Sequence, residues 1–162
     1  MIASFQIANA DLSDPSDASA LVELLDAYSR DLMGGGEPLR QDVKNRLPAD
    51  LASRPSAVVL LAWIGEVPAG LAVAFEGYST FQASPLLNLH DFVVAPVFRG
   101  RGVARRLLEK LETEALRRNC CKITLEVLEN NHRARGIYTA FGFAGYELDP
   151  SAGKALFLQK KL

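Results

Sequence analysis

Two long apolar runs separated by a two-residue turn restrict the fold of this chain more than any other feature. Residues Ala57 to Ile64 form a continuous run of bulky side chains, and Val67 to Phe75 form a second run. The Gly65-Glu66 pair between them is a hairpin turn signal. The sequence therefore predicts an antiparallel β-hairpin at the centre of the chain.

Further strands are predicted on both sides of this hairpin. They cover Phe5 to Ala8, Leu86 to Val94, Cys121 to Val127, Phe143 to Glu147 and Ala155 to Lys160. Residues Gly77 to Pro85 have the composition of a loop. With helices between several of these strands, the order predicts an α/β fold in which a mixed sheet is covered by helices.

Four helical segments are predicted from apolar residues at helical spacing. The first has Leu21, Leu24, Leu25, Tyr28 and Leu32 on one face, and Gly34-Gly35-Gly36 should end it. The next contains Pro48, which should divide it into two short pieces. A third begins directly after Gly102, and a short fourth places Ala134, Ile137, Tyr138 and Phe141 on one face before Gly142.

Composition indicates one soluble domain over residues 1–162. Hydrophobic residues make up 49% of the chain and charged residues 23%, and the formal charge of −1 gives no reason to expect nucleic acid or a membrane as partner. The start of the chain lacks the pattern of a signal peptide, so we expect a cytoplasmic protein. Two adjacent cysteines, Cys120 and Cys121, with only two histidines predict neither a disulfide nor a structural metal.

The stretch from Pro96 through Arg99-Gly100-Arg101-Gly102 into a helix carries the strongest chemical signal. The first N–H groups of a helix lack internal partners and face the positive end of the helix dipole, and glycines let a phosphate approach the backbone. Arg99, Arg101 and Arg105 add positive charge. The stretch matches neither a P-loop nor a dinucleotide fingerprint. Taken alone, it predicts an anion site or a plain connector equally well.

Two spaced motifs resemble those of the GNAT superfamily of acyl-CoA N-acyltransferases. Arg99-x-x-Gly102-x-Ala104 resembles the family's [RQ]-x-x-G-x-[GA] pyrophosphate loop, and Asp91 to Pro96 resembles its central strand. Downstream, Asn131-x-x-Ala134-x-x-x-Tyr138-x-x-x-Gly142-Phe143 resembles its second signature. The resemblance implies a mostly antiparallel sheet, splayed at its middle strands and flanked by helices on both faces.

The resemblance also implies acetyl-CoA as acyl donor and gives each matching residue a role. Phe92, Val93 and Val94 would contact the pantetheine and thioester, and Asn131 and Ala134 would lie along the pantetheine arm. The pyrophosphate would be held by the loop and first helical turn, which consist of Arg99, Gly100, Arg101, Gly102, Val103, Ala104 and Arg105. Tyr138 would contact the cofactor and protonate the departing thiolate, although by itself it also fits a core tyrosine.

Glu126 is the leading candidate for the base that deprotonates the acceptor amine, directly or through water, and Asp91 or an ordered water is the alternative. Glu126 would lie on the polar side of its strand, where a solvated carboxylate is an equal interpretation. Asp91 and His90 should point to opposite faces of the central strand by alternation.

The acceptor is the least determined part of the prediction. The family builds acceptor pockets from segments that correspond to Tyr28–Leu39 and Gly77–Pro85, where Glu37, Glu76 and Asp91 would favour a cationic amine. We expect direct attack by a primary amine in a ternary complex, without a cysteine acyl carrier. The alternatives are a protein amine as acceptor and a regulatory module that binds acyl-CoA without transfer. A homodimer is also open.

Overall fold

The computed structural model of this chain describes residues 5–146 and 149–162. Contacts divide it into two compact units, the first ending at Leu125 and the second beginning at Glu126. The expectation of a single domain over residues 1–162 stays a prediction. Among the residues that the structure describes, no helix is both long and apolar enough to cross a bilayer.

The first unit is built on a five-stranded sheet in which neighbouring strands follow the order of the chain. Three antiparallel pairings join the first four strands, and the fifth strand adds in parallel. The strands are β1 (Phe5–Asn9), β2 (Ala57–Ile64), β3 (Val67–Ser79), β4 (Ser84–Val94) and β5 (Ile123–Leu125). This open, mostly antiparallel sheet confirms the predicted fold class.

Helices cover both faces of this sheet. On one face, α1 (Pro15–Ser29) and α2 (Gln41–Ala52) share a hydrophobic cluster with β2, β3 and β4 that includes Leu21, Leu51 and Val73. On the other face lies α3 (Val103–Arg117), and a Cβ added at Gly70 would come within 2.9 Å of Leu107 Cδ1 and 3.0 Å of Val103 Cγ1. The two apolar layers hold the sheet between the helices.

Three predicted boundaries in the first unit are wrong. Helix α1 ends at Ser29, so Leu32 falls outside it and is 84% exposed. Helix α2 runs through Pro48 unbroken, because Leu47 and Leu51 on either side pack on the same core. Much of the predicted Gly77–Pro85 loop is sheet, since β3 extends to Ser79 and β4 starts at Ser84.

The second unit contains one regular helix, α4 (His132–Phe141), among its described residues. Asn131 begins this helix by accepting a hydrogen bond from the backbone N–H of Ala134 at 3.2 Å. Gly142 ends it in the left-handed conformation, with φ of +106°.

The two strands predicted near the C-terminus are not formed in the described part of the second unit. Phe143 to Tyr146 and Ala155 to Lys160 contain no strand, and Glu147 lies outside the described residues. Leu156, Phe157 and Leu158 are about four-fifths exposed, at 81%, 78% and 83%. These segments have no strand partner among the described residues, and a strand needs pairing with a neighbour to be stable.

Candidate active site

The glycine-rich loop between β4 and α3 has the backbone geometry of an anion site. Gly100 and Gly102 have φ angles of +76° and +82°, a left-handed conformation that other residues rarely adopt. Gly102 is the residue before α3, and no side chain among the described residues caps that helix. The first N–H groups of α3 are therefore left for an external acceptor.

The three arginines around this loop differ in how firmly they are held. Arg99 donates from Nε to the carbonyl of Val94 at 3.2 Å, which ties the loop to the end of β4. The Arg101 guanidinium lies over the Phe98 ring at 5.6 Å. Arg105 is paired with Glu109 at 2.9 Å, so its charge is partly neutralised. Arg99 and Arg101 remain the stronger contributors to a positive potential at the loop.

β4 and β5 pair only over a short segment. Their parallel register joins Leu87–Leu89 to Ile123–Leu125, and Asn88 donates to the Thr124 hydroxyl at 3.1 Å within it. β4 then continues for five residues to Val94 without a β5 residue paired beside it in the described register. The predicted strand Cys121 to Val127 is thus much shorter than expected, and Phe92, Val93 and Val94 lie on the part of β4 beyond that pairing.

A β-bulge in β4 follows directly after the last residue paired with β5. Leu89 pairs with Ala74, but Asp91 pairs with Val73, which leaves His90 as the extra residue. Val73 belongs to the core on the α1 side, and the His90 ring contacts Phe75 on that side, with centroids 5.6 Å apart. His90 and Asp91 therefore share one face. The expectation that they point to opposite faces is wrong, because the bulge interrupts the alternation.

The bulge places the Asp91 carboxyl in a partly buried environment near the end of α1. Burial raises the pKa of Asp91, and the neighbouring His90 acts in the opposite direction. Burial also raises the pKa of Tyr28, with further contributions from the charges of Asp91 and Asp31. The Tyr28 hydroxyl donates to the Met33 carbonyl at 3.4 Å. Sequence reasoning missed the grouping of Tyr28, His90 and Asp91, since a bulge has no reliable sequence signal.

The other predicted acidic candidates differ from Asp91 in their surroundings. Glu126 follows β5 in the second unit and is exposed. Glu76 accepts a 2.7 Å hydrogen bond from Arg118 and forms an ion pair with it, so its charge is already matched. Glu37 is exposed. Among these carboxyl groups Asp91 combines burial with a raised pKa, the combination typical of an acid–base group.

In the second unit, Tyr138 is buried on α4, at 9% exposure. Its ring meets Phe143 edge-on, with centroids 5.8 Å apart and planes at 67°. The N–H of Phe143 also bonds to the Tyr138 carbonyl at 2.9 Å. The predicted apolar face of α4 is confirmed. Asn131 and Ala134 are joined by the helix cap, which gives this pair of motif residues a local structural role.

A glycine-rich loop thus precedes the uncapped helix α3, directly after the part of β4 that extends beyond its pairing with β5. The model of the acetyltransferase (GNAT) family matches residues 20–143. The chain therefore belongs to the GNAT family and is an acyl-CoA-dependent N-acetyltransferase.

Similar proteins agree with this assignment. An uncharacterized N-acetyltransferase of Archaeoglobus fulgidus is 29% identical over 128 residues, 79% of this chain and 87% of that protein. A thialysine N-epsilon-acetyltransferase of Caenorhabditis elegans is 27% identical over 130 residues, 76% of this chain and 75% of that protein. Among solved structures, the aminoglycoside N-acetyltransferase AAC(6')-Iy in complex with CoA has a TM-score of 0.76 at 20% identity, over 99% of this chain and 97% of that one. This last likeness concerns the fold.

Proposed function

We propose that this protein transfers the acetyl group of acetyl-CoA to a primary amine of a small cationic molecule, by direct attack in a ternary complex. The observation that carries the proposal is the partly buried Asp91, which the bulge in β4 turns toward the α1 side. It provides a carboxylate that can both attract an ammonium group and take up its proton.

The donor would bind along the path that begins at the glycine loop. The uncapped N–H groups of α3 suit a pyrophosphate, and Arg99 and Arg101 add positive charge. The pantetheine would run beside Phe92, Val93 and Val94, where β4 continues past its pairing with β5, as an added strand does at a sheet edge. A backbone N–H in this segment would then polarise the thioester carbonyl.

The chemistry requires three proton transfers. Asp91 takes a proton from the bound ammonium, and the neutral amine nitrogen attacks the thioester carbon. The C–S bond then breaks and Tyr138 protonates the departing thiolate, while the second proton lost by the adduct nitrogen, as the amide forms, restores the Tyr138 hydroxyl. We keep Glu126 as the alternative base, either directly or through water. Its side chain is exposed, whereas that of Asp91 is partly buried.

Two features support a cationic acceptor. The relative from Caenorhabditis elegans is named for thialysine, whose acetylated group is a primary amine. In this chain, the charges of Asp91 and Asp31 both act on Tyr28 at the end of α1, so each carboxyl group lies near that side chain. Attraction of an ammonium to this region would offset the cost of desolvating it.

The pH dependence of turnover in Asp91→Asn and Glu126→Gln tests the choice of base. Because burial raises the pKa of Asp91, the wild-type rate should rise with pH through an apparent pKa above that of an ordinary carboxyl group. Asp91→Asn should lose turnover most at low pH and recover toward the amine's own pKa. Glu126→Gln is the matched control and should keep the wild-type profile. A wild-type profile in Asp91→Asn, together with a loss of turnover at low pH in Glu126→Gln, would identify Glu126 as the base instead.

Thiol release from acetyl-CoA in the presence of different acceptors tests the class of substrate. We expect the highest rate with thialysine or another small cationic amine. Acetylation confined to protein or peptide amines would replace the small-molecule acceptor. Binding of acetyl-CoA with no transfer to any amine would identify the regulatory module instead.

A further inference from the structure

His90 and Asp91 occupy the same bulge but differ in exposure. His90 is exposed, whereas Asp91 is partly buried and shares its face of the sheet with the core below α1. The His90 ring rests edge-on against Phe75, at 75° between the ring planes. The bulge thus brings an exposed imidazole and a partly buried carboxyl group from adjacent residues to the same face of the sheet.

The proposed reaction requires a route by which Asp91 loses the proton that it gains in each transfer. Each transfer leaves one proton on Asp91, and burial favours the protonated carboxyl group. The carboxylate must be restored before the next ammonium is accepted. Of the described residues, His90 is the one whose charge acts on Asp91. Tyr28 lies on α1 near Asp91, but it is a phenol of raised pKa and cannot accept the proton. Asp31 acts on Tyr28, where its charge also raises the pKa.

We propose that His90 takes the proton from Asp91 after each acetyl transfer and passes it to solvent. The carboxyl O–H bond breaks, an N–H bond forms on the neutral imidazole, and the imidazolium then loses a proton to water. The imidazole is thereby restored with no change in oxidation state. His90 acts through Asp91 and does not touch the acceptor, and the inference rests on the proposed role of Asp91 as base.

Turnover of His90→Phe and His90→Ala tests this relay. The phenylalanine keeps a ring against Phe75 but cannot accept a proton, so it separates relay from packing. We expect each variant to lose at least about tenfold in turnover, less than the ~100- to 10,000-fold typical of a group acting in the transition state. Affinity for CoA should not change. Imidazole added at constant pH and ionic strength should restore His90→Ala as its concentration rises.

The pH profile gives a second readout that a purely structural role would not move. Since His90 lowers the pKa of Asp91, its removal should shift the acidic limb of the rate profile to higher pH. His90→Gln, which keeps a polar side chain, serves as a further variant if either of the first two has a reduced Tm.

The outcomes separate the relay from the base. Wild-type turnover in folded His90→Phe, with no effect of imidazole on His90→Ala, would overturn the relay. If Asp91→Asn were still impaired in that case, the proposed base would stand. Wild-type turnover in Asp91→Asn would remove the base and the relay together. Rescue of His90→Ala by imidazole, but not of Asp91→Asn, would support both.

Discussion

Gly102→Glu should abolish CoA binding, and Gly36→Glu provides a closely matched control. The two glycines have almost the same φ, +82° and +80°, and an added Cβ would meet nothing within 4 Å at either position. A left-handed conformation costs a non-glycine residue about 1–2 kcal/mol, so both variants carry a similar strain and the same added charge. Gly102 directly precedes α3, whereas Gly36 does not precede a helix.

The expected loss of affinity comes from the local charge at the helix N-terminus. A carboxylate beside the uncapped N–H groups of α3 would occupy the place of the pyrophosphate and repel it. A charge-assisted hydrogen bond contributes about 1.5–3 kcal/mol. The loss of two such bonds should therefore weaken CoA binding by roughly 100-fold or more. Calorimetry with CoA measures this directly, and thermal unfolding shows whether both variants fold. Equal CoA affinity in the two variants would refute the assignment of the loop.

Three further predictions concern catalysis and stability. Tyr138→Phe should reduce turnover by ~100- to 10,000-fold with little change in CoA affinity, and wild-type turnover would return Tyr138 to a core role. Gly70→Ala should cost about 1–3 kcal/mol, or roughly 3–10 °C in Tm, because its Cβ would approach the Val93 carbonyl oxygen at 2.9 Å. Gly77→Ala on the same strand has only a 3.4 Å contact and should be near neutral, so equal Tm values would contradict the packing argument. Asp91→Asn should raise Tm at pH 7, since burial disfavours the charged carboxylate there. The gain should vanish below about pH 4, where Asp is neutral in both the folded and unfolded states; a gain that persists at acid pH would show another cause.

Local patterns in the sequence were sufficient for the central hairpin and the glycine loop. The apolar runs of β2 and β3 and the turn at Gly65-Glu66 predict the strands because each signal is contained within a few residues. Gly102 is similarly informative, since a left-handed residue before a helix favours glycine. Features of this kind depend on steric interactions between neighbouring residues, so a short stretch of sequence is enough to predict them.

Other features depend on contacts that no local pattern contains. The bulge at His90 arises from the register between β3 and β4, and it reverses the expected facing of Asp91. Pro48 remains inside α2 because packing on either side outweighs the one lost backbone bond. The length of β5 likewise depends on how far it pairs with β4. Tertiary contacts therefore determine the partly buried environment of Asp91, which no local pattern predicts.

Initial-rate kinetics with acetyl-CoA and thialysine, combined with the mass of the product, test direct acetyl transfer to an amine. Each substrate is varied at several fixed concentrations of the other. We expect an amine one acetyl group heavier, one free thiol released per product, and intersecting double-reciprocal lines, as direct attack in a ternary complex requires. Parallel lines with an acetylated protein intermediate would contradict direct transfer. Thiol release without an acetylated amine would contradict the claim that this protein is an amine acetyltransferase with this acceptor.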